Sequence, residues 1–147
     1  MMMNKWLIIF FLLISFQQTL QPVSFSSAES ESNGDGVLVY LRFSIAPGFH
    51  LQSDRPPNPG LIPTSVELDL PEGIYIQRID FPDAEEFLLA GTSEPLYVFS
   101  NELEVVIRLV SSGSVDYPET VHGKLNFQPC DDMKCYYPRE LFFESGI

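Results

Sequence analysis

Residues 37–45 read VLVYLRFSI, and this stretch decides the fold class. Its apolar residues recur at every second position: Val37, Val39, Leu41, Phe43 and Ile45. The polar residues Arg42 and Ser44 fall between them. Because successive side chains of a β-strand point to opposite faces, the stretch predicts a strand with one buried and one solvated face.

The same period of two residues continues along most of the chain. It predicts further strands at residues 64–70, 74–81, 96–99, 103–110, 121–128 and 136–144. The 12 Pro and 9 Gly residues separate these segments with turns and disfavour long helices. About eight short strands with regular turns are typical of an antiparallel immunoglobulin-like β-sandwich, so we expect an all-β fold of that kind.

The composition limits the function classes that the chain can serve. Its 147 residues are enough for one domain of ordinary size. Eight Lys and Arg against 20 Asp and Glu give a formal net charge of −12, which excludes a nucleic-acid partner. A four-ligand zinc site would need nearly all of the two Cys and two His residues, and their spacing does not suggest one. We therefore expect no metal and no cofactor.

The first 28 residues have the pattern of a signal peptide. Lys5 is positive, residues 6–16 form an apolar run of 11 residues, and Ser26 and Ala28 suit signal peptidase. A membrane-spanning helix needs about 20 apolar residues, so cleavage is favoured over an uncleaved anchor that would tether the protein. We therefore expect an exported protein, periplasmic or extracytoplasmic. Its predicted parts are a signal peptide at 1–28, a flexible acidic tail at 29–36 and one domain at 37–147.

Any chemistry rests on Cys130 and Cys135, which flank the four residues DDMK between two strand-like segments. A hairpin would place their Cβ atoms about 4.5–5.5 Å apart, close to disulfide reach. Closing a six-residue loop stabilises a fold by about 2 kcal/mol, against about 4.7 kcal/mol for a hundred-residue loop. A short, accessible and weakly stabilising disulfide suits thiol exchange, and a purely structural staple is the alternative.

Charges around the pair indicate the direction of its chemistry. Asp131 and Asp132 disfavour a thiolate, and Lys134 offsets them in part. Neither cysteine is expected at a helix N-terminus, so the strongly acidic thiol of a powerful oxidant is not predicted. The pair is therefore suited to passing electrons on as a dithiol.

Several short segments resemble those of one protein family, in the same order along the chain. The segment FQPCDDMKCYYP at 127–138 resembles the active-site hairpin of the N-terminal periplasmic domain of the thiol:disulfide interchange protein DsbD. The other landmarks are APGFH at 46–50, LIPT at 61–64, LPEG at 70–73 and GTSE at 91–94. The resemblance covers residues 37–143, which is nearly the whole predicted domain.

The resemblance implies an immunoglobulin-like domain that relays electrons through Cys130 and Cys135. In the family, a membrane-embedded dithiol donor reduces the hairpin disulfide. The resulting dithiol reduces periplasmic thioredoxin-like proteins, including disulfide isomerases and cytochrome c maturation factors. By this analogy the chain is a protein-disulfide reductase module in which Cys135 attacks the partner and Cys130 resolves the mixed disulfide. The pair would be surrounded by Gln128, Asp131, Asp132, Lys134, Tyr136 and Pro138.

The sequence departs from the family pattern at the loop and at its cap. The best-studied members have one more residue between the cysteines, so the loop here is tighter. They also carry an aromatic cap residue just before the landmark glycine, where this chain has Leu89 and Ala90 before Gly91. We expect shielding of the disulfide to fall to Leu89 or Phe87. Since no membrane domain follows before Ile147, we expect the electron donor to be a separate protein.

Both histidines are expected to have no chemical role. His50 follows a Pro-Gly turn and is predicted to pack at the surface or half-buried, while His122 is predicted to face solvent opposite Leu125 and Phe127. A second function class stays open beside the relay. It is a non-enzymatic extracytoplasmic binding module in which the Cys130–Cys135 disulfide is purely structural.

Overall fold

The computed structural model describes residues 21–147, and this part of the chain is built from strands without a helix. Its strands are β1 (Val23–Asn33), β2 (Gly36–Ile45), β3 (His50–Gln52), β4 (Ser65–Asp69), β5 (Ile74–Asp80), β6 (Glu85–Phe87), β7 (Leu96–Phe99), β8 (Glu102–Ser111), β9 (Thr120–Phe127), β10 (Pro129–Cys130) and β11 (Arg139–Gly146). All of their pairings are antiparallel. The prediction of an all-β, antiparallel fold is confirmed.

The strands form three sheets. The first has the order β1-β2-β8-β5, the second β11-β9-β4, and the third β10-β3-β7-β6. In the first sheet Leu41 of β2 lies opposite Ala28 of β1 on one side and Val105 of β8 on the other. The stretch that decides the fold is therefore a central strand, paired along both edges.

The hydrophobic core contains residues of both the first and the second sheet. Val39, Leu41 and Phe43 of β2 are fully buried, as the alternation at 37–45 predicts. Leu125 of β9 is also fully buried in the same cluster. Three phenylalanine rings join the two sheets at one point, with centroid separations of 5.0–5.6 Å: Phe25 of β1, Phe43 of β2 and Phe143 of β11. Burial of such large rings is the main source of stability in a fold of this size.

The third sheet contains short strands that the periodicity does not predict. β3 lies inside the proline-rich connection at 49–63, and β6 and β10 have only three and two residues. Segments this short contain too few residues to reveal a period of two. They matter for function because β3 and β10 pair at the cysteine hairpin, with Cys130 opposite His50.

Strand β1 corrects the prediction of a flexible tail at 29–36. Residues from Glu29 to Asn33 continue β1 and pair with β2 down to the turn at Gly34. The acidic and serine-rich composition suggested a tail, but backbone pairing to β2 orders the segment. A cut after Ala28 would also divide β1 and remove Val23, which is 1% exposed.

Much of the predicted signal peptide at 1–28 lies outside the described residues, which begin at Gln21. From that residue to the C-terminus, no helix is long and apolar enough to cross a membrane.

Candidate functional site

Cys130 and Cys135 form a disulfide at the tip of a tight hairpin. The two residues lie opposite each other in an antiparallel bridge, with their Cα atoms 3.9 Å apart. Two backbone hydrogen bonds close the hairpin on either side: Asp131 N donates to Lys134 O at 2.9 Å, and Tyr136 N donates to Pro129 O at 2.8 Å. The structure therefore brings together the two cysteines that the sequence singled out.

The two cysteines differ in exposure. Cys130, at the end of β10, is fully buried, whereas Cys135 is only partly buried. Disulfide exchange requires a thiolate to approach one sulfur of the bond. Of the two residues, Cys135 is the one that solvent and a partner can reach.

Asp131 shapes the loop between the cysteines. Its Oδ1 accepts hydrogen bonds from the backbone N–H groups of Met133 at 2.8 Å and Lys134 at 2.9 Å. Its Oδ2 accepts a hydrogen bond of 2.5 Å from the Tyr136 hydroxyl. The Tyr136 bond, followed by the two backbone N–H groups, holds the pKa of Asp131 below its ordinary value. The same bond to an anion raises the pKa of Tyr136.

The other residues predicted to surround the pair have unequal roles. Lys134 places its Nζ 4.8 Å from the ring centroid of Tyr136. Gln128 ties the hairpin to the 53–64 connection, since its Oε1 accepts from Ile62 N at 2.9 Å and its Nε2 donates to Tyr136 O at 3.2 Å. Asp132, within the loop, and Pro138, three residues after Cys135, are exposed.

Gln52 is a residue at the site that sequence reasoning missed. It is fully buried, and its Nε2 lies 3.2 Å from Cys130 Sγ and 3.6 Å from Cys135 Sγ. It belongs to β3, two residues after His50 and therefore on the same face of that strand. A single polar residue in a proline-rich connection carries no local signal of such a position, because the contact joins residues 78 apart in sequence.

His50 also lies closer to the cysteines than the sequence suggested. It is the cross-strand partner of Cys130, and its Nδ1 shares a hydrogen bond of 2.6 Å with Ser100 Oγ. Its Nε2 lies 3.6 Å from Asp132 Oδ1, and its side chain is 18% exposed. The expected half-buried packing is therefore found, in a place that links β3 to the disulfide loop. By contrast, His122 is exposed on the outer face of the second sheet beside Glu144.

The segment predicted to cap the disulfide does touch its loop. The Phe87 ring lies 4.0 Å from the His50 ring, centroid to centroid, and Ala90 N donates a 3.0 Å hydrogen bond to Asp132 O. Leu89 is partly buried and its carbonyl accepts from Thr92, while Gly91 adopts a positive φ of 78° that favours glycine. Residues 87–92 therefore form a turn held against the hairpin.

Three large apolar side chains of the hairpin and the neighbouring turn are exposed: Leu88 at 59%, Met133 at 71% and Tyr137 at 91%. Among residues 21–147, no cluster of three or more His, Cys, Asp or Glu could hold a metal ion. The described site thus consists of a disulfide, a buried amide, an imidazole and an apolar rim.

The fold and this site define an immunoglobulin-like β-domain that carries a partly accessible hairpin disulfide. Residues 17–146 match the family described as "Thiol:disulfide interchange protein DsbD, N-terminal". The chain belongs to this family, and the resemblance drawn from its motifs is confirmed. The Cys130–Cys135 disulfide lies within the matched residues.

Two solved structures have similar folds. The N-terminal periplasmic domain of ScsB from Proteus mirabilis is 17% identical, with a TM-score of 0.57 over 81% of this chain. This chain covers only 44% of the ScsB chain. The DsbD N-terminal domain of Neisseria meningitidis, solved in the reduced form, is 21% identical with a TM-score of 0.47, covering 83% of this chain and 84% of that one. A comparison with curated proteins gave no match.

Proposed function

We propose that this domain is an exported protein-disulfide reductase module that works in the periplasm. It takes electrons from a membrane-embedded dithiol and delivers them to thioredoxin-like oxidoreductases, including those of disulfide isomerisation and cytochrome c maturation. The observation that carries the proposal is the partly accessible Cys130–Cys135 hairpin disulfide in a domain of this family. The description of the ScsB relative as a periplasmic domain supports the location.

The relay has a charging step and a discharging step. In charging, a donor thiolate attacks Cys135 Sγ, the S–S bond breaks, and Cys130 Sγ takes the bonding electron pair. The second donor thiol then displaces Cys135 and closes the donor's own disulfide, so the domain has gained two electrons and two protons. In discharging, the Cys135 thiolate attacks the acceptor's disulfide. Cys130 then attacks Cys135 Sγ and releases the reduced acceptor.

Two features support this assignment of roles. Cys135 is partly exposed and can meet a partner, while the fully buried Cys130 can react only within the domain. The disulfide closes a six-residue loop that backbone hydrogen bonds already hold, so its contribution to stability is only about 2 kcal/mol. Opening and closing the bond therefore leaves the fold intact.

The reduction potential of the Cys130/Cys135 couple tests the proposal. The protein would be equilibrated with glutathione or dithiothreitol buffers, and its free thiols trapped. We expect a value of about −180 to −270 mV, where exchange proteins lie. A value below about −300 mV with slow exchange would contradict the relay and leave a binding module with a structural disulfide.

Single-cysteine variants test the order of attack. Cys130→Ser keeps the accessible thiol and should form a mixed disulfide with a thioredoxin-like protein. Cys135→Ser keeps only the buried thiol and should form little. The double variant, Cys130→Ser with Cys135→Ser, is the matched control and should form none while remaining folded. Equal trapping by the two single variants would contradict the assigned roles.

A further inference from the structure

The side chain of Gln52 lies against the sulfur atoms and is held there by its own backbone. Nε2 donates to Cys130 Sγ at 3.2 Å and faces Cys135 Sγ at 3.6 Å. The backbone N–H of Gln52 donates to Gln128 O at 3.2 Å, and its carbonyl accepts a 2.5 Å bond from Thr64 Oγ1. The amide is therefore fixed beside the bond that breaks and forms in exchange.

The oxidised site leaves this amide half satisfied. Gln52 Oε1 is buried and has no hydrogen-bond partner within residues 21–147. A disulfide sulfur carries no proton, so it cannot donate a hydrogen bond to Oε1. It is also a weak acceptor, so its hydrogen bond with the Gln52 N–H is weak. A buried unpaired acceptor is unfavourable, and here it belongs to the disulfide state.

Reduction gives the amide better partners. Two electrons and two protons convert the disulfide to two thiols, or to a thiol and a thiolate if one proton is released. A thiolate accepts the Gln52 N–H in a charge-assisted bond, and a thiol brings an S–H group that can donate to the amide oxygen. In either protonation state the buried amide gains in the reduced site.

We propose that Gln52 is a catalytic residue that shifts the Cys130/Cys135 couple toward the dithiol. When a partner's thiolate attacks Cys135 Sγ, the electron pair of the S–S bond passes to Cys130 Sγ. The Gln52 N–H then donates to this leaving thiolate before it is protonated. The biological meaning rests on the proposed relay, because a domain that delivers electrons must be reducible by its donor.

The test compares reduction potentials of Gln52→Met and Gln52→Leu with the unmodified protein in glutathione buffers. Both variants remove the amide at similar size. We expect the equilibrium constant for reduction to fall about tenfold, which corresponds to a potential about 30 mV more negative. Ser53→Ala is the matched control, since Ser53 is a neighbouring residue, 2% exposed, whose hydroxyl accepts from Arg55 N instead of contacting sulfur.

A merely structural role for Gln52 predicts a different result. It would lower the melting temperatures of the oxidised and reduced forms equally. The equilibrium constant for reduction would then stay within about twofold of that of the unmodified protein. That outcome, or a more positive potential, would overturn the proposal. The loss of the amide should instead destabilise the reduced form more than the oxidised form.

A measurement on the unmodified protein covers the case in which the variants fold poorly. The side-chain amide protons of Gln52 should change their NMR chemical shifts and exchange protection on reduction. Unchanged signals in the two redox states would contradict the proposal. The difference in reduction potential between a variant and the unmodified protein can be measured whatever the potential of the unmodified protein is. A couple below about −300 mV would therefore contradict the relay, and the same comparison of variants would still test the role of Gln52.

Discussion

Asp131 stabilises the loop between the two cysteines as a carboxylate. From sequence its charge was expected to act on the thiols. In the structure the carboxylate binds Tyr136 and the backbone N–H groups of Met133 and Lys134. The negative charge of Asp131 thus stabilises the conformation of the loop, and this conformation keeps Cys135 opposite Cys130.

The lowered pKa of Asp131 gives a pH dependence with a definite sign. A carboxyl group whose folded pKa lies below its unfolded value stabilises the fold above the unfolded value, about 3.9, and loses this effect as pH falls through the folded pKa. We expect Asp131→Asn to melt at a lower temperature than the unmodified protein at pH 7. The difference should shrink as the pH falls below about 3.9 and Asp131 becomes protonated.

Asp132→Asn is the matched control for that measurement, because the Asp132 side chain is 78% exposed. It should show little change in melting temperature at either pH. In an NMR titration, the amide protons of Met133 and Lys134 should move with a midpoint below about 3.9. A midpoint at or above this value would show that the carboxylate is not held as described.

At the scale of elements, β3 and β6 assemble the site from distant parts of the chain. β3 supplies His50 and Gln52, and β6 ends at Phe87. The two strands pair with opposite edges of β7, and the Phe87 and His50 rings meet although the strands are some 30 residues apart. The sequence has no aromatic residue immediately before Gly91, and we propose that Phe87, which packs on His50, shields the disulfide in its place.

Removal of this ring tests the cap. An aromatic contact of this kind contributes about 0.5–1.5 kcal/mol. We therefore expect Phe87→Ala to speed reduction of the disulfide by dithiothreitol about threefold, because residues 87–92 would open more often. The reduction potential should stay nearly constant, since shielding affects access to both redox forms.

Leu88→Ala is the control for the cap, because Leu88 is 59% exposed and is a neighbour of Phe87. Its reduction rate should match that of the unmodified protein. Equal rates for Phe87→Ala and Leu88→Ala would show that the ring does not shield the disulfide.

At the scale of the whole molecule, β1 closes the first sheet and reaches the second. Phe25 stacks on Phe143 of β11 with centroids 5.0 Å apart, and Val23 is almost fully buried. Burial of each such side chain contributes about 1.5–3 kcal/mol. A chain that begins at Glu29 should therefore unfold with a free energy about 3 kcal/mol lower than one that begins at Gln21.

Urea unfolding of the two chains measures this difference, and mass spectrometry of the protein recovered from cells locates its N-terminus. We expect that N-terminus to lie before Val23, so that β1 is kept. A protein that begins at Glu29 in cells and is as stable as the longer chain would show that the first half of β1 is dispensable.

The sequence by itself determined the fold class, the central strands and the cysteine pair that forms the disulfide. Alternation at 37–45 is a local property of the chain, and burial of Val39, Leu41 and Phe43 follows directly from it. The pairing of Cys130 with Cys135 is equally local, since a hairpin of six residues leaves them few other positions. The ordered motifs at 46–50 and 127–138 gave the family, which the comparison with known proteins confirmed.

Only the tertiary structure decided what surrounds that pair. Gln52 and Cys130 are 78 residues apart, and their contact depends on the pairing of two very short strands, β3 and β10. The order of Glu29 to Asn33 likewise comes from pairing with β2, where Arg42 also binds Glu29 and the Tyr40 hydroxyl donates to Glu31. Composition and periodicity report on the side chains of one segment, whereas these features arise from strands that meet in space. That is why the sequence was enough to locate the cysteine pair, whereas the residues around the pair could be identified only from the fold.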